Sequence, residues 1–214
     1  MIAFDDWAPI EAQRTGNGAV FVTLHFGNWD LAGAMLAQRW PMTAIADTFG
    51  NPAVDRLVVS ARRRLGMHIV SAGRTGPEVL RALRRNDVLA VLADVPQPGG
   101  GVTVNFFGAP FEMPDGPARI ALRVGAPVIV GGVWRTRPTE ARYEAAAEVV
   151  RFQPTGDREQ DVRALTQATA HALERLVRRA PEQWYVFRSL WLDAASGSRA
   201  RLDVEGAPAS TSPR

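Results

Sequence analysis

The apolar positions of this chain follow two alternating rhythms. Short unbroken runs rich in β-branched residues recur at 19–24 (AVFVTL), 42–46, 68–70, 88–93, 102–106 and 127–134, and each reads as a buried strand. The stretch 143–152 reads as a further strand despite its alanines. Between these runs the apolar residues fall at helical spacing. Asn28 is placed to cap a helix through about Arg39, which Pro41 closes. NPAVDRLVVSARRRLG puts Val54, Leu57, Val58, Ala61 and Leu65 on one stripe, with Gly66 as the stop. Helices are also predicted over 75–85, 117–124 and 157–179, the last and longest with Val162, Leu165, Thr169, Ala172, Leu173 and Leu176 as its core stripe. GAPFEMPDG reads as a turn, and 184–191 as a partly buried aromatic segment. Strands alternating with helices predict an α/β fold with a mostly parallel central sheet flanked by helices. Residues 1–17 form a lead-in, 18–193 one domain, and 194–214, rich in Ser, Gly, Pro, Ala and Arg, a disordered tail.

Composition narrows the chemistry. There is no cysteine, which excludes a disulfide scaffold, a thiolate metal site and a cysteine nucleophile. The three histidines lie far apart in the chain, so no metal is expected. The net charge is only +3, yet all 25 basic residues are arginine. A GC-rich genome explains that usage simply. Guanidinium groups also suit phosphates, and the clusters Arg62–Arg63–Arg64, Arg81–Arg84–Arg85 and Arg178–Arg179 are candidates to face anionic headgroups. No nucleic-acid-binding signature accompanies them, and no nucleic acid partner is expected. No run is long and apolar enough for a membrane-spanning helix, and the start MIAFDDWAPI carries acids rather than a signal-peptide pattern.

The string with chemical content is HFGNWD, residues 25–30. His25 stands at the end of a predicted strand, the edge of an α/β sheet where ligands bind. Asp30 falls in the first turn of the next helix, from which a loop can bring its carboxylate back onto the imidazole. A base is needed to activate a hydroxyl, and an acid on the other ring nitrogen fixes the tautomer. The spacing alone is weak evidence, and a strand-end histidine with a helix N-terminal acid is the plain alternative. His68 and His171 read as structural.

The surrounding residues carry more. HFGNWDLAG resembles the first motif of the bacterial lipid A late acyltransferases and of the related phosphatidylinositol mannoside acyltransferases. In order after it, NPAVDRLVVSARRRLG, VLADVP, VNFFGAPFEMPDGPARIALRVGAPVIVGGVWR and APEQWYVFRSLW are similar to later segments of that family, so the resemblance covers roughly residues 18–193. It implies transfer of an acyl chain from a thioester, acyl-CoA or acyl carrier protein, to a hydroxyl of a membrane glycolipid or phospholipid, with no metal or redox cofactor. His25 matches the family's catalytic histidine, Asp30 its motif acid, and Asp94 the acid after the VLA strand. The expected assignment is His25 as general base with Asp30 as its partner, Asp94 assisting. Asn28, Trp29, Phe107, Arg119 and Arg188 are the expected substrate-binding residues, and Trp29, Phe106, Phe107, Trp184 and Trp191 are candidates to line an acyl groove.

Pro96 replaces a second acid usual in lipid A enzymes, and Ser189 and Leu190 follow Arg188 where paired arginines are usual. Both differences lean toward a phospholipid or phosphoinositol-mannoside acceptor. A lipid A late acyltransferase proper, a thioesterase-like hydrolase and a non-catalytic lipid-binding relative remain open alternatives. Family members usually carry an N-terminal hydrophobic helix before the histidine strand, whereas this chain begins close to it. The expectation is therefore either a fragment or peripheral attachment through the domain surface, on the cytoplasmic face of the plasma (inner) membrane.

Overall fold

A computed structural model of the chain describes residues 2–4, 7–46, 49–71, 75–95, 100–137, 139–187 and 190–191. The elements run β1 (Ile2–Ala3), α1 (Ala8–Gln13), β2 (Ala19–Thr23), α2 (Trp29–Arg39), β3 (Met42–Ala46), α3 (Pro52–Arg64), β4 (Met67–Ser71), α4 (Thr75–Arg84), β5 (Val88–Leu92), β6 (Val102–Phe106), β7 (Ala109–Met113), α5 (Gly116–Val124), β8 (Val128–Arg135), β9 (Tyr143–Val149) and α6 (Arg158–Val177). A 3-10 turn, Pro181–Gln183, follows α6.

The main sheet has the order β1-β9-β8-β2-β5-β3-β4. Every neighbouring pair is parallel except β8 with β9. All residues of β2 are buried, as an unbroken apolar strand in a sheet covered on both faces should be. Its alternate side chains feed two cores. Val20, Val22 and Leu24 join Val79 and Leu83 of α4, Ala118 and Ala121 of α5, and Leu165, Leu173 and Leu176 of α6. Ala19 and Phe21 join Ile10 of α1 and Ala34 and Leu36 of α2. Fully burying each large apolar side chain contributes roughly 1.5–3 kcal/mol, so the sheet centre is the most strongly held part of the chain.

One topological feature positions a site. β2 and β5 are parallel neighbours, yet α2 leaves β2 over one face while α5, after the β6–β7 hairpin, packs on the other. A crevice opens at the C-terminal ends of two strands whose connections diverge in this way.

The expected mostly parallel α/β sheet is therefore what the chain forms. One local reading is corrected, and two gain detail. GAPFEMPDG is not only a turn: Ala109–Met113 pairs antiparallel with β6 as a separate two-stranded ribbon, its alternation hidden by Pro110 and Glu112. The lead-in is structured, since β1 pairs with β9 and Trp7 packs edge-on against Trp40 at 5.1 Å. The stripe on α3 is not core, because no residue of that helix is buried. The tail 194–214 lies outside the described residues.

Candidate active site

β2 and β5 pair in the register Ala19↔Val88 through Thr23↔Leu92, and the Ala93 amide donates to the Thr23 carbonyl at 2.9 Å. Two steps further along the same register stand His25 and Asp94. Asp94 is fully buried, and its carboxylate accepts three hydrogen bonds. The His25 backbone amide donates to Oδ2 at 2.8 Å, the ring Nδ1 meets Oδ1 at 2.8 Å, and the Trp184 indole donates to Oδ2 at 3.0 Å. A carboxylate only accepts, so Nδ1 is the donor and Nε2 keeps its lone pair. The imidazole is about one-third exposed, which leaves that nitrogen reachable.

The loop after β2 is held from both sides. The Asn28 amide donates to the Val133 carbonyl at 2.7 Å, the Gly27 amide to the Gln183 carbonyl at 2.8 Å, and the Tyr185 amide to the His25 carbonyl at 2.8 Å. Gly27 sits at φ +57°, and a Cβ there would lie 2.0 Å from the Val133 carbonyl oxygen. The loop can approach β8 so closely only with glycine at that position. Asn28 caps α2, its side chain accepting from the Leu31 amide at 2.9 Å. Gln183 clamps the closing segment to β8 by exchanging two side-chain hydrogen bonds with the Arg135 backbone, at 2.9 and 2.8 Å. The HFGNWD and PEQW strings are thus two halves of one hydrogen-bonded unit.

A cavity of about 700 Å³ opens beside the imidazole. His25, Trp29, Asp30 and Arg62 lie along it, with Pro114–Pro117 and Ile120 at the start of α5. Phe21, Gly33, Leu36, Met42, Ala44, Met67 and Ala90 continue it along the sheet, so it is polar beside His25 and apolar beyond. A second cavity of about 450 Å³ borders the same loop, lined by Gly27, Asn28, Arg135, Tyr143, Glu182, Gln183 and Tyr185 among others.

The expected residues do not all converge. Asp30 was expected on the imidazole. Its carboxylate instead receives the Arg62 guanidinium, at 2.6 and 3.2 Å, and His25 takes Asp94. The physical reason is direction: the first turn of α2 points Asp30 across to α3, whereas strand register delivers Asp94 under the ring. Trp29 lines the cavity edge-on to the imidazole, with ring centroids 5.2 Å apart. Asn28 faces the smaller cavity.

Phe107 sits at φ +53° in the β6–β7 turn, its amide donating to buried Glu174 at 2.8 Å, and packs against Trp184 rather than lining the main cavity. Arg119 grips Glu159 at 2.8 and 2.9 Å and Asp115 at 2.8 Å, and those carboxylates raise its pKa; it ties α5 to α6 and lines neither cavity. Phe106 is core. Trp184 and Trp191 spend their indole donors on Asp94 and the Phe106 carbonyl. His68 and His171 lie exposed, against Glu78 and Gln167. Arg188 lies outside the described residues.

With this geometry in view, the comparison with known proteins is decisive on kinship: a family model described as bacterial lipid A biosynthesis acyltransferase matches residues 5–193. The chain belongs to that family. Two relatives are named phosphatidylinositol mannoside acyltransferase. The protein from Mycobacterium tuberculosis is 33% identical over 198 residues, covering 89% of this chain and 60% of the relative. The protein from Mycolicibacterium smegmatis is 32% identical over 203 residues, covering 92% of this chain and 63% of the relative. The chain therefore spans less than two thirds of the length of either. Within the family fold, sequence reasoning missed Arg62 as the partner of Asp30, Gln183 as the clamp on β8, and the Trp184 indole as a donor to Asp94. Neighbouring motif letters, the N-W-D and the Q-W, were the available signal.

Proposed function

We propose that the protein transfers a fatty acyl chain from an acyl thioester to a hydroxyl of a membrane phospholipid or glycolipid, with His25 as general base and Asp94 as the acid that orients it. One observation carries the reading: the buried carboxylate of Asp94 holds the His25 ring at the mouth of an apolar cavity.

The acyl chain lies in the cavity, where apolar walls suit it. The acceptor hydroxyl approaches His25 Nε2, which takes its proton as the oxygen attacks the thioester carbon. A C–O bond forms, the C–S bond breaks, and the imidazolium returns the proton to the departing thiolate sulfur. Asp94 stabilises the imidazolium while it exists. Much of the acceleration comes from holding two substrates together. The donor is acyl-CoA or acyl carrier protein, and the chain needs no cofactor beyond that co-substrate. The names of the relatives favour a phosphoinositol-mannoside acceptor, as do Pro96 and the absence of paired arginines after the PEQW string. The protein works as a peripheral protein on the cytoplasmic face of the membrane. Among the described residues, no helix is long and apolar enough to cross a bilayer.

The test is product analysis with labelled acyl thioester and vesicles containing candidate acceptors. Label in a lipid is the expected result. Label appearing only as free fatty acid makes the protein a thioesterase, and donor binding without turnover makes it a lipid-binding relative.

A further inference from the structure

The apolar stripe of α3 is the sharpest mismatch between sequence pattern and fold. Val54, Leu57 and Leu65 are 42%, 65% and 46% exposed, and Phe49, just before the helix, is 46% exposed on the rim of the main cavity. The helix reaches the body through β4 and through Arg62, which turns inward to Asp30. At 3.6 residues per turn and 1.5 Å per residue, Arg64 lies on the same line as Leu57 about two turns on, and Arg56 and Arg63 lie together on one side of that line, opposite Val54 and Leu65. Among the described residues none of those three arginines meets a carboxylate, while Asp55, an acid on this helix, is occupied by the Phe49 amide at 3.0 Å. Apolar side chains bordered by unpaired cations make a helix that lies in the headgroup boundary of an anionic bilayer.

We infer that α3, with Phe49, is the surface by which this protein seats on an anionic membrane. Phe49, Val54 and Leu57 enter the acyl boundary, and Arg56, Arg63 and Arg64 meet lipid phosphates. The charge complementarity selects an anionic bilayer over a neutral one or an apolar protein partner. The placement also has a consequence for the lipid-acyltransferase reading, on which it rests for its purpose. Phe49 belongs both to this face and to the cavity wall, and Arg62, on the inner side of the same helix, lines that cavity too, so the cavity opens at the bilayer surface and an acceptor reaches His25 without leaving its leaflet.

The experiment is co-sedimentation of the full chain with phosphatidylcholine vesicles, with and without phosphatidylinositol. Three forms are compared: unchanged, Leu57→Asp, and the pair Arg63→Gln with Arg64→Gln. Far-ultraviolet circular dichroism checks each fold. The unchanged protein binds the anionic vesicles and is released by salt. Leu57→Asp lowers the bound fraction at least tenfold, and the arginine pair abolishes the preference for anionic vesicles. Equal sedimentation of all three forms, or no binding by the unchanged protein, overturns the inference. So does a self-association that Leu57→Asp abolishes while vesicle binding persists, since the face then belongs to a second copy.

Acyl transfer is read separately, with acceptor in vesicles and acceptor dispersed in detergent. Leu57→Asp loses the first and keeps the second. Vesicle binding that depends on Leu57 without transfer in either format leaves the docking face standing and removes the enzymatic reading.

Discussion

His25 and Asp94 lie 69 positions apart in sequence, and Nδ1 of one stands 2.8 Å from Oδ1 of the other. Their meeting is a property of parallel pairing. Once β2 and β5 align Thr23 with Leu92, each strand needs only two further residues to bring base and acid together. The carboxylate is shielded completely, and besides the two bonds from His25 it takes one from Trp184. Oδ2 keeps the bond from the His25 amide, so removal of the indole takes away one hydrogen bond to a buried charge, worth about 1.5–3 kcal/mol. Trp184→Phe is accordingly expected to lower both thermal stability and turnover. Loss of stability alone, measured by thermal unfolding beside a transfer assay, would detach the indole from the chemistry.

Asp30 and Arg62 act together in this account, tying α2 to α3 beside the cavity. Asp30→Asn and Arg62→Gln are expected to weaken transfer by similar factors, and the double variant to be little worse than either. The corresponding coupling energy is about 0.5–3 kcal/mol in a double-mutant cycle. Strictly additive losses would show that Asp30 acts independently of Arg62.

Gly27→Ala places a methyl group against the Val133 carbonyl at a backbone φ of +57°. Strain of that kind costs of order 1–3 kcal/mol, and relief requires the loop to leave β8. A lowered melting temperature together with lost transfer is expected. An unaltered melting temperature contradicts the close approach.

Thr23 is buried, and its hydroxyl has no hydrogen-bond partner among the described residues. Thr23→Val removes an unsatisfied polar atom while keeping the branched shape. Chemical denaturation should show a gain of about 1 kcal/mol. Destabilisation would reveal a partner for the hydroxyl.

Asp161 caps the turn before α6. The Thr155 amide donates to it, as do the Thr155 hydroxyl and the Gly156 amide, and these bonds hold its carboxyl below the usual aspartate range. A depressed folded-state pKa contributes stability that is complete above the unfolded value, about 3.9, and is lost as pH falls through the folded one. Asp161→Asn should therefore melt lower than the unchanged protein at neutral pH, with the gap closing in acid. A gap that widens on acidification contradicts the assignment.

The sequence disclosed much of this arrangement, and its omissions have physical causes. Unbroken apolar runs such as AVFVT betray a sheet covered on both faces, and helical spacing placed α2 through α6 within a few residues. HFGNWD puts His25 at a sheet edge, and its spacing put Asp30 on the imidazole with Asp94 assisting. Strand register, a long-range fact, brings Asp94 to the ring instead, while Asp30 meets Arg62. Arg119 looked available for substrate only while Glu159, forty positions away, was unseen. The apolar stripe of α3 was legible, but periodicity reports an apolar face and says nothing of what covers it.

The dyad itself is tested most directly by the turnover of Asp94→Asn, with the fold verified by circular dichroism and acyl transfer followed with labelled donor. Asparagine fills the same space but presents the wrong partner to Nδ1, and a comparable change in a serine protease triad lowers turnover by about 10⁴. A loss of about a hundredfold or more, approaching that of His25→Ala, is the predicted result. Near-normal turnover in Asp94→Asn would contradict the pairing of His25 with Asp94 as the working acid and base.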